Sequence, residues 1–397
     1  MESRVRERRF DLDWLRVFAF ALLILFHTGM MFVSWGWHVK NPETSRLLEE
    51  LMRFLHEWRI PLLFFISGAA VWFALEKYSW AGYLRERFVR LLLPLVFGML
   101  VVVPPQVYLE RQFQGWAYAS FLEFYPTVFT SGSYPQGNLS WHHLWYIPYI
   151  LMYSLILLPL LLWLRTASGR AVTARLRRVL CRPGALLLLC IPYAVSDICL
   201  RPFWPGDVNN LVADWANFAS KGLIFLTGFL LCSGEEVWGA VERHRFHALG
   251  LGIITYGLLC LCWYSEWEIQ GPAWAAYRVL RSLNTWCWIL ALLGFGKRHL
   301  SFNHPFLKYA TEAVYPWYIL HQTVIVMIGY FAAGWNMEMW WKYVCVATAM
   351  LLITGTLYEF LIRRCTILRP LFGLKLRPRT TVNGPLIAKC APAARRQ

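Results

Sequence analysis

The sequence predicts an all-α, polytopic membrane protein with about ten transmembrane helices and with both termini in the cytoplasm. Of 397 residues, 58% are hydrophobic and 16% are charged, whereas an average soluble domain carries roughly 25% charged residues. The apolar residues gather in continuous, Leu-rich runs of roughly 20 residues, the length that a helix needs to cross a bilayer. Lys and Arg concentrate in alternate loops, as orientation signals of a multi-pass protein do.

Ten apolar runs define the predicted spans. Their continuity favours helices over alternating barrel strands, the other structure that satisfies every backbone polar group in lipid. The first run has full span length and contains Arg16 and His27, which favours a retained helix over a cleavable signal. The second and fifth runs are short. The predicted boundaries are 12–34, 60–76, 88–109, 144–164, 185–200, 216–234, 248–264, 276–296, 310–332 and 342–362.

Loop charges set the predicted orientation. With the N-terminus inside, the inner segments 77–87 and 165–184 are basic, whereas the outer loops 265–275 and 333–341 contain no Lys or Arg. This alternation supports an even number of spans. The outer loop 35–59 balances its cations with acidic residues, and its pattern predicts a short amphipathic helix.

The chain divides into three predicted parts. Residues 1–11 form a basic cytoplasmic N-terminus, 12–365 the transmembrane domain, and 366–397 a basic cytoplasmic tail that we expect to be disordered. The net charge of +16 is spread over loops, which argues against a nucleic-acid partner and leaves the lipid bilayer as the expected one. Ten Cys residues without paired spacing predict neither a disulfide framework nor a metal site.

Two ionisable residues of the first span share one helix face. Arg16 and His27 are eleven residues apart, which is three turns plus about 20°, or about 16 Å along the axis. Asp13 can pair with Arg16. Because an ionisable group inside a span costs roughly 2.5–3.5 kcal/mol, one interpretation is a catalytic channel, with Arg16 for an anionic donor and His27 as general base. The alternative is an Arg that reaches the interface and a His that bonds a neighbouring helix.

Later spans carry further candidates. Ser67 and Gly68 permit close approach between helices and are predicted as structural support. His143 and Trp145, at the outer entry to the fourth span, suit a sugar ring. The alternative is an aromatic belt with solvated imidazoles. The aromatic and polar outer loop 110–143 leaves the same choice open between a sugar-facing surface and a plain interfacial loop.

The ninth span contains Glu312 and His321. We expect His321 near mid-membrane, where it could orient a substrate or join a hydrogen bond between helices. Arg278 and Arg281 lie near the outer end of the eighth span, where we expect them to reach lipid headgroups.

Four stretches, in order, resemble the family-3 membrane acyltransferases: LDWLRVFAF, PLLFFISG, HHLWYIPYIL and VYPWYILHQTVIV. Arg16 and His27, with ten residues between them, match the arginine–histidine motif of that family. The similarity extends from about residue 10 to about residue 365. Within the family, the DWLR opening, HTGMMFV and YPWYILHQTV most resemble the glucan biosynthesis protein C branch.

The resemblance implies transfer of an acyl group from cytosolic acyl-CoA, as succinyl-CoA or acetyl-CoA, to a carbohydrate hydroxyl. The branch implies a periplasmic glucan as acceptor, and the family implies the bacterial inner membrane. Acyl-CoA is then a cosubstrate, and no permanently bound cofactor is expected. His27 and Arg16 take the catalytic roles. His143 and His321 carry over as substrate-binding candidates, beside Trp145 and Glu312.

Two other functions stay open. A transporter or flippase for a glycan or small metabolite would use the same polar residues as a translocation path. A non-catalytic partner of a glycan synthase would use them for structure alone. Within the enzyme hypothesis, direct transfer and an acyl-histidine intermediate are both open. The sequence lacks a phosphate-cradling Gly-rich loop with Lys, which argues against coupling to nucleotide hydrolysis.

Overall fold

The structure, a computed structural model, describes residues 8–265 and 268–376. Within these ranges the fold is all-helical, and strand pairing is limited to one isolated bridge between Ser133 and Leu139. The predicted all-α class is confirmed. Most of the predicted tail, from residue 377 onward, and residues 1–7 of the predicted N-terminus lie outside the described residues.

The main helices follow the predicted spans in order. They are α1 (Phe10–Gly29), α2 (Arg46–Lys77), α3 (Trp80–Phe113), α4 (Tyr146–Ile156), α5 (Leu158–Leu164), α6 (Ala167–Leu180), α7 (Ala185–Leu200), α8 (Trp215–Leu231), α9 (Glu236–Arg243), α10 (Arg245–Tyr264), α11 (Gly271–His299), α12 (Pro305–Ala332) and α13 (Met339–Ile362). Single turns add Met30–Phe32, Phe121–Phe124, Thr127–Thr130, His142–Trp145 and Leu368–Leu371. Wider π-helical turns occur inside α3 at Phe88–Leu92 and Gly98–Val102 and inside α13 at Leu357–Ile362.

Six of the described helices are long and apolar enough to cross a membrane, namely α1, α2, α3, α10, α11 and α13. The pairs α4–α5 and α8–α9 are bent by 55° and 114°, and they raise the number to eight if each pair is one span. Helix α7 is shorter, and α12 has 28 residues but is more polar, since it carries Glu312, His321 and Gln322. The protein is thus a multi-pass membrane protein, whereas the count of ten spans and the terminal orientation stay predictions.

The second predicted span differs from the observed helix. The sequence predicts a short span at 60–76 after a separate amphipathic helix, but α2 runs through both for 32 residues. At 1.5 Å per residue it is about 48 Å long, more than the roughly 30 Å of a hydrocarbon core. It begins after Ser45, whose side chain accepts a hydrogen bond from the Leu48 N–H. One helix therefore changes from amphipathic to apolar along its length.

Helix α1 lies inside the assembly and packs against α2, α11, α12 and α13. The residues of α1 that face the core are Leu12, Leu15, Ala19, Phe20, Leu23 and Phe26. Helices α2 and α8 approach so closely that a Cβ at Gly68 would lie 1.7 Å from the Phe225 carbonyl oxygen. Gly68 thus lies where close packing requires a glycine, as the structural interpretation of this residue predicts.

Two arginines expected at the headgroups are instead paired inside the protein. Arg278 bonds to Asp197 of α7, and the Arg281 Nε atom lies 2.9 Å from Glu57 Oε2 of α2. The expectation of headgroup contact is wrong because α2 and α7 bring carboxylates to α11 that sequence position alone does not reveal.

The first part of the predicted tail packs onto the helices. Arg369, in the turn Leu368–Leu371, is buried and donates to the carbonyl oxygens of Lys375 and Arg363. Residues 366–376 thus differ from the disorder expected there.

Candidate active site

His27, near the C-terminal end of α1, and His321, in the middle of α12, form a stacked imidazole pair. The His27 Nδ1 atom lies 2.7 Å from the His321 Nε2 atom. The ring centroids are 4.9 Å apart, and the ring planes differ by 5°. His321 is fully buried. The sequence predicts both residues as site candidates but not their contact, which the packing of α1 against α12 creates.

Hydrogen bonds define the tautomers of this pair. The His321 Nδ1 atom lies 2.6 Å from the Tyr318 carbonyl oxygen. Because a carbonyl only accepts, Nδ1 carries the proton and Nε2 of a neutral His321 is an acceptor. The His27 Nδ1–H then donates to it. His27 Nε2 keeps its lone pair, which is the form that a general base requires.

His143 is buried beside the pair, and its ring is perpendicular to that of His321 at a centroid distance of 5.1 Å. Its Nε2–H donates to the Ile319 carbonyl oxygen at 3.0 Å, and its Nδ1 faces the Gln106 amide nitrogen at 3.4 Å. The Tyr318 hydroxyl donates to the His143 carbonyl oxygen. Both ring nitrogens of His143 thus have partners within the protein, and the substrate-binding role that the sequence predicts for this residue stays a prediction.

Arg16 lies nearer the N-terminal end of α1 than His27 does. Its Nη2 atom is 2.6 Å from Asp13 Oδ1, and the Arg16 side chain is 31% exposed. Arg8 also donates to Asp13, at 2.8 Å. Asp13 and Arg16 therefore pair, as the sequence predicts. The Arg16 guanidinium stays partly exposed and thus accessible to an anion.

The other predicted residues lie apart from the histidine pair. Glu312 accepts a hydrogen bond from Arg369 Nη2 at 3.2 Å. Trp145 lines a cavity next to the outer-loop residues. The Ser67 hydroxyl lies 2.8 Å from the Tyr146 hydroxyl and so links α2 to α4.

An apolar cleft of about 440 Å³ opens beside His321, between α1, α12 and α13. Phe306 and Tyr309 line it near the N-terminal end of α12, and Leu351 lines it on α13. Its α1 wall consists of Val17, Phe20, Ala21, Leu23, Ile24 and Leu25. A cleft of this size and polarity can hold an extended apolar chain with one end at the imidazole.

His38, Glu110 and His142 meet near the same part of α12, with their ligand atoms within 4.8 Å of one another. Glu110 lies 3.1 Å from His38 Nδ1 and 3.3 Å from His142 Nε2. The Gln322 amide nitrogen, one residue after His321, lies 3.0 Å from His38 Nε2. Two imidazoles and a carboxylate could hold a transition metal. The sequence does not reveal this cluster, because its members come from three distant segments.

A second cavity, of about 670 Å³, lies against the outer loop. Its aromatic and amide walls include Tyr134, Trp141, His142, Trp145, Asn209 and Asn210. The Tyr134 hydroxyl donates to Glu110 Oε1 at 2.9 Å. Burial and the neighbouring Glu110 raise the pKa of Tyr134 to about 12, so this hydroxyl remains a donor at neutral pH. Aromatic faces beside amides suit a sugar ring.

Arg59 is a residue near the site that sequence reasoning missed. The sequence places it among the balanced charges of the first outer loop, whereas the structure buries it inside α2 against the ring of Phe26, the residue before His27. The sequence feature that could have indicated its burial is its position directly before the apolar run that begins at Ile60.

Comparisons with known proteins confirm the resemblance. The profile of the acyltransferase-3 family, described as an acyltransferase domain, matches residues 9–359. Similar curated proteins include glucans biosynthesis protein C of Escherichia coli strain K12, 21% identical over 372 residues that cover 90% of this chain and 92% of the relative. The protein of the same name from Escherichia coli O157:H7 is 21% identical over 369 residues, with the same coverage. No solved structure shows a significant match.

Proposed function

The chain belongs to the acyltransferase-3 family, and from this we propose that it transfers an acyl group from a cytosolic acyl-CoA to a carbohydrate hydroxyl on the opposite side of the membrane. Family membership establishes the reaction class, which is that of a membrane acyltransferase. The proposal adds the donor, the acceptor and the base. Relatives named glucans biosynthesis protein C favour a periplasmic glucan as acceptor, with succinyl or acetyl as the acyl group.

The observation that carries the proposal is the oriented pair of His27 and His321. An acyl transfer to a hydroxyl needs a base with a free lone pair near neutral pH. The bond between the two rings, together with the Tyr318 carbonyl, leaves that lone pair on His27 Nε2. This chain of hydrogen bonds resembles the orientation of a catalytic imidazole by a second group in other acyl-transfer enzymes.

The donor is proposed to enter from the end of α1 that carries Arg16. Arginine suits bidentate recognition of the CoA phosphates or of a succinyl carboxylate. His321 is one of the residues that line the apolar cleft beside α1, and we propose that this cleft accommodates the acyl-pantetheine arm. The thioester would then reach the histidine pair while the phosphates stay near Arg16.

The acceptor is proposed to bind in the aromatic cavity at the outer loop. Trp141 and Trp145 offer faces for stacking, and Asn209 and Asn210 offer amides for hydroxyl groups. For loop 110–143, the proposal adopts the sugar-facing surface over the plain interfacial loop.

The proposal includes ten spans, with both termini in the cytoplasm of a bacterial inner membrane. Helices occupy every one of the ten predicted span positions, and the basic segments alternate with poorly charged ones. With the N-terminus inside, Arg16 lies on the side of cytosolic CoA, and the three predicted spans before loop 110–143 put the aromatic cavity on the side of the glycan.

In the proposed reaction, His27 Nε2 removes the proton of the sugar hydroxyl, and the hydroxyl oxygen attacks the thioester carbonyl carbon. The tetrahedral intermediate collapses with cleavage of the carbon–sulfur bond. The proton on His27 Nε2 passes to the leaving thiolate, so the products are the sugar ester and free CoA. His321 holds the imidazole of His27 throughout.

The test uses purified protein in nanodiscs, with radiolabelled succinyl-CoA and acetyl-CoA in parallel and a pool of periplasmic glucans as acceptor. We expect label on the glucan from at least one donor. Label from acetyl-CoA alone would keep the enzyme class and discard the succinyl group. In proteoliposomes of the same protein, movement of glucan across the membrane without release of CoA would identify a transporter and contradict the proposal.

A further inference from the structure

The buried guanidinium of Arg59, on α2, has no carboxylate partner among the described residues. The residue is 2% exposed, and its Nε and Nη1 atoms are buried without a hydrogen-bond acceptor in the described part of the chain. Its guanidinium carbon lies 3.9 Å above the centre of the Phe26 ring. That ring offers a cation–π contact but no acceptor for the N–H groups. Arginine stays protonated at neutral pH, so the protein interior holds an uncompensated positive charge here.

The other buried arginines of residues 8–265 and 268–376 all have acceptors. Arg111 bonds to Asn138, Arg201 and Arg278 bond to Asp197, and Arg369 bonds to Glu312. A buried charge without a partner is strongly unfavourable in a folded protein. Arg59 is thus the exception among the buried arginines of the described residues.

This charge lies beside the histidine pair. The guanidinium carbon of Arg59 lies over the ring of Phe26, and the rings of Phe26 and His27 are 5.8 Å apart. The carboxylate closest to Arg59 in sequence, Glu57, is already bound by Arg281 at 2.9 Å. Arg59 is therefore left without this carboxylate, on the side of α2 that faces Phe26.

We propose that Arg59 binds an anionic oxygen of the acyl group during transfer. This inference rests on the proposed function and adds a residue to its site. When the sugar hydroxyl attacks the thioester carbonyl, the π electrons of the C=O bond move to the oxygen, which becomes an oxyanion. The guanidinium N–H groups of Arg59 stabilise it until the C=O bond re-forms and the carbon–sulfur bond breaks. A fixed cation in a dry site is most effective for such a charge.

The same guanidinium could hold the terminal carboxylate of a succinyl group, and the two sources of the anionic oxygen differ in one respect. An oxyanion forms with every acyl donor. A terminal carboxylate is present in succinyl-CoA and absent from acetyl-CoA. Comparison of the two donors therefore separates the sources.

The experiment compares wild type, Arg59→Met, Arg59→Lys and the control Arg278→Met, each purified in nanodiscs. Two quantities are measured: transfer of label from both donors to glucan per folded protein, and the melting temperature without donor. Arg59→Met removes a charge that has no carboxylate partner, so we expect a melting temperature at or above wild type. Arg278→Met removes one of the two arginines that bond to Asp197 and should lower the melting temperature. Arg59→Lys keeps the charge and should transfer label at an intermediate rate.

We expect Arg59→Met to transfer about 100- to 1,000-fold more slowly, the usual loss for one oxyanion donor. A loss with both donors identifies the oxyanion, and a loss confined to succinyl-CoA identifies the carboxylate. An active wild type with less than a tenfold loss for both donors, or a melting temperature of Arg59→Met lowered as in Arg278→Met, would overturn the inference alone. A wild type that transfers no label would overturn the proposed function as well.

Discussion

His27 Nδ1 and His321 Nε2 lie 2.7 Å apart, although the two residues are 294 positions apart in the chain. The proposed base and the residue that orients it therefore lie on different helices. Helix α1 supplies the nitrogen that reacts, and α12 supplies the acceptor that orients it, because the Tyr318 carbonyl fixes the proton of His321 on Nδ1.

We expect His321→Ala to lower kcat by about 100- to 10,000-fold with little change in KM for the donor, because His27 loses the group that holds its reactive tautomer. Steady-state kinetics of the purified variant check this. The control is Tyr318→Phe, which keeps the carbonyl and removes only the hydroxyl bond to His143. Tyr318→Phe should lower kcat by less than about tenfold, since one neutral hydrogen bond contributes about 1 kcal/mol. A His321→Ala variant with more than a tenth of the wild-type kcat would contradict an orienting role.

Arg16→Gln should raise KM for acyl-CoA by about tenfold or more if its guanidinium binds the CoA phosphates. The matched measurement uses an acyl-pantetheine thioester that lacks the nucleotide phosphates. The variant and the wild type should use this truncated donor equally well. Unequal use of the truncated donor would place the role of Arg16 at the acyl group instead.

Gly68→Ala should destabilise the protein by about 1–3 kcal/mol or more, because the new Cβ would lie 1.7 Å from the Phe225 carbonyl oxygen. The readouts are the melting temperature and the yield of monodisperse protein. Gly257→Ala in α10 is the control, since its Cβ meets nothing within 4 Å. There the substitution should be neutral or stabilise by about 0.5–1 kcal/mol. Equal behaviour of the two variants would count against close packing of α2 on α8.

Chelation should leave acyl transfer unchanged. His38, Glu110 and His142 are joined by hydrogen bonds, and Tyr134 and Gln322 complete that network. The proposed reaction passes through none of them. Metal analysis before and after treatment with EDTA, together with the transfer assay, checks this. One tightly bound metal per chain whose removal abolishes transfer would contradict the prediction.

Much of the helical layout could be predicted because apolar runs determine which segments enter the membrane. The second span was predicted too short, since the charged half of α2 resembles a loop helix when length and charge are judged locally. Pairing between helices was not predictable. The sequence position of Arg281 predicts headgroup contact, yet Glu57 lies opposite it once α2 and α11 pack.

The candidate site could be predicted only in part, because some of its contacts form between helices that are distant in the sequence. His27 and Arg16 lie on one helix, so their spacing alone predicts a shared face. The contact of His27 with His321 depends on how α1 packs against α12, and the burial of Arg59 depends on the continuous length of α2. Neither relationship has a local pattern in the sequence.

The most direct test of the proposed role of His27 is the rate of acyl transfer from labelled acyl-CoA to glucan by His27→Ala, with the melting temperature measured on the same preparation. The exposed His247→Ala in α10 is the control and should match wild type. We predict a wild-type melting profile and no transfer above background for His27→Ala. A folded His27→Ala protein that transfers label at the wild-type rate would contradict the assignment of His27 as the base.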